Sequence, residues 1–324
     1  MDKNTLKNLI LSRKGYKIGK KGKLIYIKDE KTEQTYSPKT LDQIIISTRS
    51  SITTDAIIYL KEQNVDILIL SRKGYFRIIN VNKNPLKTLW KKQLTLKKQK
   101  KLKLSKEIIT SAIYNKKRLL LQLKTPKNKL EKFDKLIQKT KESNSKETIF
   151  GLEGTATRYY YKNLKEKIPQ KYEFKKRNKN PPTDPINSML SYGYTILQSK
   201  IHQAIIKAKL TPYLGIYHKS YREKTPLTYD LMEPFRHIIV DRTILTMINK
   251  KDIDQKDFKE TPKSGTLITG ESKNKLIDRL YNRMETKYKY KKQKRPFLDI
   301  FELQAQELAE TIKSNKKYKA FKYR

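Results

Sequence analysis

A change of apolar rhythm near residue 85 divides this chain in two. Before it, apolar residues come in short β-branched runs between turn signals. LIYI (24–27), QIIIS (43–47), VDILIL (65–70) and FRIINV (76–81) have the pattern of strands. After it, they recur every three or four residues with lysines on the other faces, the pattern of helices. Pro85, within NPLKT (84–88), discourages a helix from crossing the junction. A chain of 324 residues has room for two domains. The expected fold class is α+β: a small N-terminal β-rich domain over 1–83, a linker at 84–88, and a larger all-α domain over 89–324.

In the first half, GKKGK (19–23) reads as a hairpin turn and lacks the spacing of a phosphate-binding loop. TTDAIIYLKEQN (53–64) predicts a short helix capped by Thr53 or Thr54. LILSRKGY occurs at 9–16 and again at 68–75. Two copies fall short of the roughly three that a solenoid needs. They read as two strand ends entering similar glycine turns; for Arg13, Lys14, Arg72 and Lys73 solvation is the favoured reading and phosphate contact the alternative. In the second half, 88–123 and 127–143 have helical spacing, and 185–210 is the most apolar helix and the expected core. KKRNKNPPTDP (175–185) breaks the helical pattern, with Asp184 as turn or cap. ESKNKLIDRLYNRM and LDIFELQAQELAETI supply two last helices before a basic, frayed end.

Charge limits the partners. With 75 Lys+Arg against 32 Asp+Glu, the formal charge is +43. Such a surface attracts polyanions, and neutralising phosphates is its commonest use. AT-rich drift explains lysine in place of arginine better than it explains the excess. Nucleic acid is the leading partner and an anionic membrane surface a distant second. The absence of cysteine excludes disulfides, a thiolate nucleophile and a cysteine-based zinc site. MDKNTLKNLILSRKGY has no signal-peptide run and no stretch is long enough to span a membrane, so a soluble, cytoplasmic protein is expected.

In so basic a chain, GLEGTATRYYY (151–161) sets a carboxylate, Glu153, between two glycines at what reads as the start of a helix. First-turn dipole chemistry is the ordinary explanation. Three further segments offer another: TDPINSMLSYGYTIL (183–197), AKLTPYLGIYHKS (208–220) and LTYDLMEPFRHIIVDR (227–242). His218 follows a Pro-Gly loop, and Asp230 and Glu233 stand at i, i+3, neighbours on one face of a helix that Pro234 should bend or delay. His202 and His237 sit within helical patterns and read as structural. Glu153, His218 and Glu233 together offer oxygen, nitrogen and oxygen ligands, a set suited to Mg2+ or Mn2+. Such an ion would let acidic ligands face a phosphodiester and activate a hydroxyl or water.

GLEGTATRYYY, DPINSMLSYGYTIL, TPYLGIYH and DLMEPFR, in this order, resemble the CRISPR-associated spacer-acquisition endonuclease and integrase family, called Cas one. LDQIIISTRSSITTDAIIYLKEQNVDILILSRKG resembles that family's β-domain and GTLITGESKNKLIDRLYNRM its later part, so the resemblance spans nearly the whole chain. It implies Glu153, His218 and Glu233 as metal ligands, with Asp230 also counted in the active site of the helical, catalytic domain. Lys219 and Arg236 are expected to meet phosphate, on charge and proximity. Asn187 and Tyr192 belong to the DPxN…YGY segment; they are weaker DNA-binding candidates, for which capping and core packing serve at least as well. Thr157 and Tyr161 depart from the family pattern, and their hydroxyls need partners if buried.

The resemblance further implies transesterification in which 3′-hydroxyl ends of a short duplex attack phosphodiesters of a repeat array, and cleavage of branched DNA at the same site. It implies a homodimer, with the N-terminal domain serving dimerisation and DNA contacts, and two dimers bridged by the small companion subunit Cas two. A transposon-encoded integrase relative is the alternative enzyme. Such relatives often add a helix-turn-helix module, and the end at KAFKYR soon after the last helix counts against it. The rival from another class is a non-catalytic basic nucleic-acid-binding protein.

Overall fold

The computed structural model describes residues 8–12, 15–71, 74–78, 87–179, 181–219, 224–262, 265–314 and 316–324. Arg13, Lys14, Arg72 and Lys73, the end of the run at 76–81, and 84–86 of the junction lie outside them. The chain forms two compact units, Met1–Lys83 and Asn84–Arg324.

The first unit contains strands β1 (Asn8–Leu11), β2 (Tyr16–Lys21), β3 (Leu24–Lys28), β4 (Glu33–Tyr36), β5 (Gln43–Ile46) and β6 (Ser50–Ile52), helix α1 (Thr54–Glu62), then β7 (Asp66–Ser71) and β8 (Gly74–Ile78). One sheet runs β1-β5-β7-β8, its first three strands parallel; the other runs β4-β3-β2-β6. β5 reads QIII without alternation and is buried along its whole length, as a central parallel strand should be. β3 alternates, with Ile25 and Ile27 inward. α1 starts where expected: the Thr53 hydroxyl accepts the Ala56 amide at 3.3 Å. Ile18, Ile25, Ile44, Leu60 and Ile67 form the centre of this unit's core.

The second unit is mostly helical. Its elements are α2 (Lys87–Leu94), α3 (Lys98–Gln122), α4 (Lys127–Glu142), α5 (Lys146–Lys165), α6 (Pro185–Lys207), α7 (Pro226–Met232), α8 (Arg242–Asn249), β9 (Phe258–Thr261), β10 (Gly265–Ile268), α9 (Gly270–Glu285), β11 (Lys287–Tyr290), β12 (Gln293–Pro296) and α10 (Phe297–Lys313). α6 is buried on nearly all sides, as its composition predicts, and Asp184 caps it by accepting the Asn187 amide at 2.8 Å. Among the described residues, no helix is long and apolar enough to cross a membrane.

Three details differ from the sequence reading. The helical stretch 88–123 is two helices, broken at Thr95–Lys97. Two hairpins, β9–β10 and β11–β12, interrupt the expected all-α unit. In KYKYKKQKRP the lysines alternate with Tyr288 and Tyr290, whose rings pack on Phe297 and Phe321, and the turn takes positive φ at Lys291 and Lys292. The C-terminal end is not frayed, because Tyr318, Phe321 and Tyr323 bury their rings.

Candidate active site

Glu153 does not lie in a first turn. α5 begins at Lys146, capped by the Ser145 hydroxyl on the Thr148 amide at 3.1 Å, which puts Glu153 about two turns inside. The dipole explanation therefore fails, and its partners account for the carboxylate instead. The Lys116 ammonium of α3 lies 3.2 Å from Glu153 Oε1, with the lysine side chain 1% exposed and the glutamate 21%. The Thr157 hydroxyl, one turn on, donates to the same oxygen at 2.6 Å. Burial opposes the charged form of Glu153, but Lys116, Thr157 and Arg236 outweigh it and bring its pKa down to about 2. One of the two departures from the family pattern thereby finds its hydroxyl partner. The other does too, for the Tyr161 and Tyr194 hydroxyls lie 2.9 Å apart.

His218 sits on the loop between α6 and α7, and Asp230 shapes that loop. Asp230 is fully buried in α7, and its carboxylate accepts the backbone N–H groups of Ile216, Tyr217 and His218 at 2.6, 3.1 and 2.9 Å. It also meets His218 Nδ1 at 2.7 Å. A carboxylate acceptor places the N–H on Nδ1 and leaves the Nε2 lone pair for a ligand. Gln93 of α2 clasps the start of the loop through the carbonyls of Thr211 and Leu214, and Lys146 holds the Ile216 carbonyl at 2.6 Å. Gly215 is required here: a Cβ would come within 2.4 Å of the His218 carbonyl oxygen. Burial works against His218 protonation, yet Asp230 and then Glu233 raise its pKa above the ordinary value.

Pro234 ends α7 as its missing donor predicts, and the chain continues through a π-helical segment, His237–Asp241. This turn brings Arg236 back onto Glu233, with Nε 3.0 Å from Oε1. Tyr217 records the neighbourhood: burial raises its hydroxyl pKa, and Glu153, Glu233 and Asp230 all add to the rise. Glu153, Glu233 and Asp230 are thus all within electrostatic reach of Tyr217, and Asp230 and Glu233 within reach of His218. Two carboxylates and an imidazole nitrogen are donors suited to a hard divalent ion. Among the described residues, no three His, Asp or Glu side chains are gathered as a ready cage; Lys116 and Arg236 hold the two glutamates instead.

Beside these groups opens a cavity of about 550 Å³, whose lining includes Arg177, Lys179, Tyr194, His218, Lys219 and Arg236 and, among the described residues, no carboxylate. Both guanidiniums lie over the Tyr194 ring, at 5.5 Å for Arg177 and 5.2 Å for Arg236. Lys219 is exposed at the cavity lining. Asn187 is buried and does not reach the cavity. Its amide oxygen accepts from Arg177 at 2.9 Å, and its NH2 donates to the Lys176 carbonyl at 2.8 Å and to Asp184 at 2.6 Å. Tyr192 is half-buried, and Tyr194 is the α6 tyrosine in the cavity lining. Behind the cavity, buried Asp241 accepts the hydroxyls of Tyr160 and Tyr194 at 2.8 and 2.5 Å and meets His237 Nδ1 at 2.7 Å. His237 is structural, as its helical setting suggests.

Sequence reasoning missed Lys116, Arg177, Lys179 and Asp241. Lys116 had a signal. It continues the spacing of Ile109, Ala112 and Ile113 on the buried face of α3, and a lysine on such a face calls for a carboxylate partner. Arg177 and Lys179 lie in an irregular segment with no periodicity to place them.

Comparison with known proteins follows the same outline. Residues 9–282 match the family model described as CRISPR associated protein Cas1. A CRISPR-associated endonuclease Cas1 from Methanospirillum hungatei is 29% identical over 98% of this chain and 100% of its own length. A casposase solved bound to its integration product superposes with a TM-score of 0.88, at 26% identity, over 98% of this chain and 95% of that one. A Cas6-RT-Cas1–Cas2 complex contains a chain that superposes with a TM-score of 0.85 at 24% identity, over all of this chain and 37% of that one. With most of its length matched in sequence and nearly all of it in fold, the chain belongs to the Cas1 family, the endonuclease and integrase family of CRISPR adaptation.

Proposed function

We propose that this chain is a divalent-metal-dependent DNA integrase that joins short duplex fragments to a repeat array and cleaves branched DNA at the same site. The observation that most supports it is the arrangement of Asp230. One buried carboxylate organises a whole loop and takes one imidazole nitrogen of His218, leaving the other without a partner among the described residues, beside a cationic cavity.

Glu153, His218 and Glu233 would hold Mg2+ or Mn2+. When bound, such an ion stabilises charge developing on a phosphodiester and favours the ionised form of an attacking hydroxyl. Asp230 fixes the His218 tautomer and orientation. Arg236, Lys219, Arg177 and Lys179 neutralise and align the phosphates of the entering strand. Lys116 keeps Glu153 ionised, the form a metal needs, and Arg236 pairs with Glu233. In the transfer, the 3′-hydroxyl gives its proton to water as its oxygen bonds to phosphorus, the bond to the leaving 3′-oxygen breaks with its electron pair, and that oxygen takes a proton from water. The N-terminal unit would serve dimerisation and DNA contacts, with a Cas2-like companion bridging two homodimers in the cytoplasm.

The test is strand transfer of a labelled short duplex into supercoiled plasmid with Mg2+, Mn2+ or EDTA, with and without the companion subunit. Glu153→Ala, His218→Ala and Glu233→Ala should each lose at least ~10²-fold in joining, more than loss of an outer partner costs, while still folding and binding DNA. Joining that survives EDTA, or all three substitutions, sinks the proposal. The casposase superposition supports a second reading, a transposon-encoded integrase. Preferential joining of one mobile element's own ends over arbitrary fragments would favour it.

A further inference from the structure

The last nine residues run extended across the helical unit, and their anchorage leads directly to the candidate site. Tyr318, Ala320, Phe321 and Tyr323 are buried while Lys319, Lys322 and Arg324 face solvent. Gln304 of α10 holds the segment: its amide oxygen accepts the Tyr318 hydroxyl and the Phe321 amide at 2.8 and 2.9 Å, and its nitrogen donates to the Lys319 carbonyl at 3.0 Å. The Phe321 ring stacks on Phe235 with centroids 4.8 Å apart and planes 16° from parallel.

The decisive contact is Asn115 of α3, which is fully buried. Its amide nitrogen donates to the Phe321 carbonyl at 3.0 Å and to the Pro234 carbonyl at 2.6 Å, and its oxygen accepts the Tyr323 amide at 2.8 Å. One side chain therefore ties the C-terminal segment to Pro234, the residue that follows Glu233. The next residue of α3 is Lys116, which pairs with Glu153. From Asn115, Glu153 is one residue and one ion pair away, and Glu233 one hydrogen bond and one residue away. The Ser111 hydroxyl, one turn earlier, adds a second bond to the Phe321 carbonyl. A buried amide whose bonds all go to the tail and to one site-bearing turn fixes the relative placement of the two.

We propose that Lys316–Arg324 is a positioning element of the metal-binding site, acting through Asn115 on Pro234 and hence on Glu233. This rests on the metal reading above. The two ideas separate experimentally, because the coupling between tail and site can be read without activity.

Asn115→Ala cuts the link itself. Gln304→Ala loosens the tail from the far side without touching a site-bearing element. Leu308→Ala, a buried α10 residue, serves as a control for general loss of stability. Two measurements apply to all three: Mn2+ binding, from the free-ion electron paramagnetic resonance signal, and hydrogen exchange of amides 230–237. Asn115→Ala should weaken Mn2+ binding about tenfold, as loss of an outer-shell partner does, and speed exchange at 230–237. Gln304→Ala should move both in the same direction by less. Leu308→Ala should lower the melting temperature and move neither. If Asn115→Ala and Gln304→Ala only lower the melting temperature, with exchange at 230–237 unchanged, the coupling is overturned. Mn2+ binding absent from the wild type would instead overturn the metal reading.

Discussion

Two carboxylate–histidine pairs lie in the same helical unit, Asp230 with His218 and Asp241 with His237, each joined through Nδ1 at 2.7 Å. They have the same chemistry and opposite surroundings. Asp241 is enclosed by the Tyr160 and Tyr194 hydroxyls, and its partner His237 is buried with Nε2 unpaired. Asp230 spends its remaining capacity on three backbone amides of a loop, and its partner His218 lines the cationic cavity with its side chain 30% exposed. The closed pair's spare nitrogen is shut inside the core, out of reach of a ligand, so the work of that pair is to hold the core. The open pair holds a ring in place and leaves one nitrogen unused. The residue types alone do not distinguish these roles; where the spare nitrogen points does.

The comparison breaks most visibly at Asp241. Asp241→Ala removes the common acceptor of two hydroxyls and an imidazole in a fully buried site. It should cost ~3–5 kcal/mol in stability, as breaking a buried network does. Urea denaturation measures this, and DNA joining should fall only as far as the folded fraction falls. A loss below ~1 kcal/mol, the net worth of one ordinary hydrogen bond, would show that the network is not the core's anchor.

Asp230→Asn sharpens the same comparison from the other side. The amide keeps an acceptor for the loop but cannot hold the Nδ1–H of His218 as a carboxylate does. Joining should drop about 10–100-fold, with a higher metal requirement, in a protein that stays folded. If Asp230→Asn lowers stability and leaves the specific activity of the folded fraction unchanged, both pairs are structural and the distinction collapses.

Much of this was legible in the sequence, for reasons that differ by element. β5, α1 and α6 are set by local pattern: a solid apolar run, a threonine cap, and an Asp-Pro start followed by a helix apolar on nearly every face. Glu153, His218, Asp230 and Glu233 stood out through motif order, yet their pairing did not. Nothing in the spacing shows that Asp230 would serve the loop while Glu233 meets Arg236, because both depend on the turn at Pro234 and the π-helical segment beyond it. The start of α5 was misplaced because glycines ordinarily mark ends, and here Gly151 and Gly154 lie inside a helix already begun at Lys146. The C-terminal end misled by its lysines. Its tyrosines and phenylalanine decide its fate, and only the fold provides the groove they fill.

The smallest expected effect is also the one in which the two pairs differ in sign. Burial lowers the His237 pKa, against the pull of Asp241, so the folded protein refuses a proton that the unfolded chain accepts below about pH 6.5. Asp241 is itself held below its ordinary value, since His237 and the two tyrosine hydroxyls outweigh burial, which extends the trend to more acid pH. Stability from this pair is complete above the unfolded histidine value and is lost as pH falls. His218 behaves in reverse: with its pKa raised, its contribution is complete below about pH 6.5 and is lost as pH rises through its folded value. Urea midpoints across pH 5–8 should therefore fall on the acid side by no more than ~1.4 kcal/mol per pH unit for the one histidine proton. His237→Gln should flatten that acid slope, and His218→Gln should leave it in place and remove a shallower alkaline one. An acid slope that persists in His237→Gln but vanishes in His218→Gln would reverse the assignment of closed and open pairs.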